Sequence, residues 1–146
     1  MSYKWLIPAV LILGSSALSA NVVSQIHIGT AKTGDEVRVF APNTAQIFVT
    51  LKMTGTKGTL VKAAWVAEKV DASAGVSPNF VVYYNEVKLP VTSDTILVNN
   101  LSFNITKPTK GWPKGKYRLD VFVATGVAAG KVYPKQPLTS VPFEVR

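Results

Sequence analysis

The run Gly111-Trp112-Pro113-Lys114-Gly115-Lys116-Tyr117-Arg118-Leu119-Asp120-Val121 constrains the fold of this chain more than any other stretch. Two glycines and a proline close together mark a tight turn, because glycine reaches backbone angles closed to other residues and proline fixes its own. Beyond the turn the residues alternate. Tyr117, Leu119, Val121 and Val123 share one side, and Arg118 and Asp120 share the other. That is a strand with one buried face, and its register organises the reading of the rest.

The remainder reads as β nearly throughout, with short β-branched and aromatic runs between Gly, Pro, Asn, Asp and Ser clusters. Candidate strands are Val22–Ile28, Glu36–Phe40, Ala45–Met53, Leu60–Glu68, Phe80–Tyr84, Glu86–Leu89, Thr95–Val98, Leu101–Thr106, Lys116–Ala124 and Leu138–Val145. Ile47, Val49, Leu51 and Met53 share a face, as do Leu101, Phe103 and Ile105, and Val141, Phe143 and Val145. No internal repeat and no convincing amphipathic helix interrupts the pattern. Strands at this spacing point to a sandwich or a barrel.

With Tyr117, Leu119 and Val121 turned inward, Trp65, Phe103-x-Ile105 followed by Pro108, and the Gly111–Leu119 turn together resemble exported, disulfide-free bacterial immunoglobulin-like domains. The resemblance spans roughly residues 40–145. It implies a single all-β, antiparallel sandwich of about seven to nine strands. It places Trp65 as the buried tryptophan and puts Leu51 and Leu119 where antibody domains carry cysteines. It also makes Tyr117 a tyrosine corner bonding back to the turn. The cysteine pair is missing, and no functional residue transfers from so broad a class.

The N-terminus reads as a secretory signal. Lys4 precedes an apolar stretch from Trp5 to Leu13 and a small-residue region from Gly14 to Ala20. Cleavage is expected after Ala20, with Ser19 as a second choice, leaving a domain over residues 21–146. The alternative is an uncleaved anchor, although the apolar core is shorter than the ~20 residues a membrane span needs. The chain has no cysteine, so an exported domain must rest on its apolar core, which suits a bacterial periplasmic or secreted protein. Its formal charge of +8 suits association with anionic envelope components or acidic proteins, or serves solubility alone. The lysines are dispersed and form no basic helix, so nucleic acid is not an expected partner.

Catalytic signals are weak. His27 is the one histidine, alternating with Ile26 and Ile28 on an expected edge strand, and is expected to face solvent. The carboxylates form no calcium loop, and one histidine without cysteine makes a transition-metal site improbable. Gly111–Lys116 misses the phosphate-loop spacing, and Tyr117 stands where that motif needs Ser or Thr. No cofactor, metal or catalytic residue is expected.

Three places could bind. Lys107, Lys110, Lys114 and Lys116 flank Trp112, which either presents an aromatic face or packs down as a plug. Ala64, Val66, Phe122 and Ala124 point away from the core face, giving an apolar outer surface that is either exposed or covered by Tyr83, Tyr84 or Tyr133. The segment Thr125–Pro137 offers Lys131, Tyr133 and Lys135. The sequence therefore favours a non-catalytic binding module for a protein or an anionic envelope component. The alternatives are a subunit or assembly factor that pairs strands, with Val22–Ile28 as its edge, or an inhibitor of an envelope enzyme.

Overall fold

The computed structural model describes residues 22–56, 58–89, 96–124 and 133–146. The expected signal at 1–20 and Lys131 lie outside them. Among the described residues the strands are β1 (Val22–Gly29), β2 (Val39–Phe40), β3 (Gln46–Gly55), β4 (Leu60–Val70), β5 (Phe80–Lys88), β6 (Ile96–Thr106), β7 (Gly115–Ala124) and β8 (Thr139–Val145). The described helical structure is a single 3-10 turn at Ala72–Ala74.

The strands form two sheets, one of three in the order β1-β3-β6 and one of five in the order β2-β8-β7-β4-β5. Every pairing is antiparallel except the short parallel contact of β2 with β8. Strict alternation drives the packing: every second residue of β3 from Ile47 onward is buried. Ile47, Val49, Leu51 and Met53 share one core with Val61, Ala63, Trp65 and Leu119 of the larger sheet. The β4–β7 ladder sets Trp65 opposite Leu119, so Lys62, Ala64 and Val66 take the outer face opposite Phe122, Asp120 and Arg118.

The turn before β7 is held from several directions. Trp112 is buried, and its indole N–H donates to the Thr44 carbonyl at 2.9 Å. The Tyr117 hydroxyl donates to the Pro113 carbonyl at 2.5 Å. Gly115 has φ +145°, and a Cβ there would collide with the Lys69 carbonyl, so this position accepts glycine alone. Burial, then the Asp71 carboxylate, pushes the Tyr117 phenol up to about 12.

Four expectations change. Phe80–Tyr84 and Glu86–Leu89 are one strand, because Asn85 does not break the ladder: its Oδ1 accepts the Trp65 indole N–H at 3.2 Å. The described part of Thr95–Val98, from Ile96 on, and Leu101–Thr106 also merge, within β6, while Thr95 lies outside the described residues. Asn99 and Asn100 are absorbed there as an irregularity, with Asn100 at φ 57° and a register slip between Leu51 and Met53 on β3. Glu36–Phe40 contracts to the two residues of β2. His27 is half-buried rather than facing solvent, and its Nε2 donates to the Gly34 carbonyl at 3.0 Å.

Tyr117→Phe should cost about 1 kcal/mol, the net worth of one buried hydrogen bond, in urea unfolding. Gly115→Ala should cost more, because it forces both a rare backbone angle and a clash. The raised phenol stabilises the fold fully below its ordinary value of about 10, and that contribution is lost as pH climbs towards about 12. Urea midpoints measured across that window should fall in the native protein and fall less in Tyr117→Phe.

Candidate functional site

The outer face of the five-stranded sheet collects most of the sequence candidates. Val66 and Ala64 are buried and Phe122 is half-buried, so this surface is covered rather than open. The cover comes from Lys62, whose Nζ lies 4.9 Å from the Tyr133 ring centroid, 5.0 Å from Phe122 and 5.7 Å from Tyr84. Three rings around one ammonium screen the apolar surface and hold the cation by its attraction to their faces. The Tyr133 hydroxyl donates to Glu86 Oε2 at 2.6 Å, pinning the segment that follows the undescribed residues back onto the sheet. Burial first, then that bond and the Glu86 charge, raise the Tyr133 phenol well above its ordinary value.

Beside this cage lies a cleft of about 500 Å³ walled by Val66, Arg118, Phe122, Lys135 and Ser140. Its chemistry is mixed. Arg118 Nε meets Asp120 at 3.0 Å, while its Nη1 reaches Asn79 at 2.7 Å and Glu68 at 3.4 Å. Ser140 donates to Asp120 at 2.6 Å, which leaves that buried carboxylate well partnered. With Arg118 occupied and Lys62 caged, Lys135 remains as the exposed cation. The cleft is an internally paired polar cluster.

The basic turn behaves differently from its aromatic neighbour. Lys107, Lys110 and Lys114 are exposed, whereas Trp112 is the plug of the two readings, packed at 6.0 Å edge-on against Tyr117. A hollow of about 720 Å³ lies next to that plug, bounded by Phe80, Val82, Pro108, Lys110 and Tyr117.

This hollow opens onto the surface the sequence reading missed. The larger sheet extends past the smaller one, and β5 forms its far edge. Phe80, Val81, Val82, Tyr83 and Tyr84 are all exposed, between 37 % and 58 %. Tyr83 pairs with Trp65 and thus faces inward, yet half of it meets solvent, because a hollow separates it from β6 of the smaller sheet. A second hollow of about 410 Å³ runs there between Val82, Tyr83 and Asn85 on one side and Asn104, Ile105 and Thr106 on the other.

The other three sheet edges carry protection. β2 has two residues. β1, the edge expected to pair with a partner, carries Ser24 and Gln25 in solvent and a register break between Val23 and Gln25. β6 presents Asn99, Asn100 and Asn104. On β5 the polar residues Asn85, Glu86 and Lys88 lie in the second half, so that Phe80–Tyr84 stay apolar apart from one register break. The signal was in the sequence: five uncharged β-forming residues in a row, without alternation, belong to a strand buried on both faces or to a bare edge.

Glu86→Gln should lower the pH at which Tyr133 ionises, visible as one phenol moving to lower pH in an alkaline absorbance titration. Lys62→Met should cost about 1 kcal/mol in urea unfolding through loss of the caged cation. The sequence matches no protein-family model, and no curated protein is significantly similar to it.

Proposed function

We propose that this chain is a non-catalytic binding module of the bacterial periplasm or exterior, built on an immunoglobulin-like sandwich. The observation that carries the reading is the β5 edge, which among the described residues pairs with β4 alone. A contiguous apolar strip on a strand with unpaired backbone groups is a surface suited to a partner, and its affinity would come from main-chain hydrogen bonds as much as from side chains. The strip favours a protein over an anionic polymer, since Phe80–Tyr84 contains no cation. The exposed Lys107, Lys110 and Lys114 at the nearby turn would favour acidic groups on that partner and speed its approach.

Support for a non-catalytic role comes from how the titratable groups are used. His27 holds a loop carbonyl, and Glu36, Asp120 and Glu144 pair with Arg38, Arg118 and Arg146. The Tyr117–Pro113 bond and the inward Trp65 support the immunoglobulin-like reading. The apolar leader and the absence of cysteine support export.

A photo-crosslinking residue at Tyr83 should give discrete protein adducts in cells, and one at Ser24 on the β1 edge should not. Equal labelling from both positions, or none from Tyr83, would remove the proposal.

A further inference from the structure

The partner that the β5 edge itself specifies is a second copy of the chain. This inference rests on the binding reading above and deepens it. We propose that two copies pair β5 with β5, antiparallel, about a two-fold axis beside Asn85, joining two five-stranded sheets into one continuous sheet of twice the width.

Three observations carry it. The first is self-complementarity. A two-fold interface requires a surface that matches itself, and antiparallel strand pairing is the arrangement that a two-fold axis generates at an edge. With the axis beside Asn85, Tyr83 of one copy stands opposite Val87 of the other, and Tyr84 stands opposite Glu86. Residues opposite one another in a ladder share a face, and β5 meets that demand here. Tyr83, Asn85 and Val87 pair with Trp65, Ala63 and Val61 on the inner side, while Tyr84 and Glu86 pair with Ala64 and Lys62 on the outer side. Aromatic against β-branched is a favourable cross-strand pair, and no like charges face each other.

The second is charge. Each copy carries a formal +8, so most faces of the molecule repel their own kind. β5 adds no net charge to that repulsion: Glu86 and Lys88 balance, and the neighbouring Lys62 ammonium is turned into its aromatic cage. The third is area. The half-exposed rings of Phe80, Tyr83 and Tyr84 with Val81, Val82 and Val87 offer roughly 500 Å² per copy, hence roughly 1,000 Å² for the pair, the lower bound for a specific interface. A dimer of micromolar rather than nanomolar affinity follows from that modest area.

Sedimentation velocity on the purified protein, from low micromolar to ~100 µM, should show a reversible dimer. Tyr83→Lys and, separately, Tyr84→Lys should weaken it by roughly tenfold or more. Tyr83 is half-exposed and lies outside the Lys62 cage, so the urea midpoint of Tyr83→Lys should stay close to that of the native protein, whereas Tyr84→Lys removes a ring of the cage and should lower it. Gln25→Lys on the β1 edge should leave the dimer intact. The chain has no cysteine, so Tyr83→Cys combined with Val87→Cys should give an interchain disulfide on oxidation without background. A protein that stays monomeric at ~100 µM, a dimer indifferent to both lysine variants, or a double-cysteine variant that fails to cross-link would overturn the pairing. Heterologous adducts from Tyr83 on a strictly monomeric protein would sink the pairing alone and leave the binding module standing. Neither adducts nor dimer would sink both.

Discussion

Phe143 is the ring on which the larger sheet and its turn depend. Tyr117 stacks on it at 5.2 Å, Phe40 meets it edge-on at 5.7 Å, and Trp65 approaches at 6.2 Å. Three strands and the parallel β2 contact thereby converge on one side chain near the chain's end. Aromatic pairs of this kind add to area burial and fix orientation as well. Through Tyr117 the cluster reaches Trp112 and the Pro113 carbonyl, so the turn is anchored from inside the core rather than by its own loop chemistry. A chain without disulfides has to obtain its uniqueness from contacts like these.

Strand alternation made the core legible. Leu51, Trp65, Leu119 and Val121 occupy the buried positions that their spacing implies, and Tyr117 turns back to its turn. Two polar interruptions misled. Asn85 reads as a strand breaker until the Trp65 indole is seen to satisfy it across the ladder, and Asn100 does so until its left-handed backbone is seen inside β6. Such partners sit far along the chain, and local pattern carries no trace of them. His27 was misjudged for the same reason, because the loop carbonyl that it holds belongs to a turn with no regular pattern.

The candidate site was legible in composition but not in place. Val66, Phe122, Tyr133 and Lys135 do gather on one face, yet Lys62 closes over Phe122 and Tyr133, and nothing in the spacing of Lys62 announces a cage. Trp112, between its lysines, is a structural plug. The open surface is instead at β5, where the difficulty was one of topology. Tyr83 and Tyr84 were available as covering residues only if β5 was itself covered, and strand order decides that.

The mismatch of five strands against three has a consequence for local stability. Among the described residues β5 is held to the fold by a single ladder, to β4, and Phe80–Tyr84 are exposed. As an edge strand it can detach its backbone at a free-energy cost below that of global unfolding. Whatever caps it would do more than occupy a surface. It would bring the edge amides of β5 into the cooperative unit, so that the rigidity of this edge is set by the neighbour and not by the chain alone.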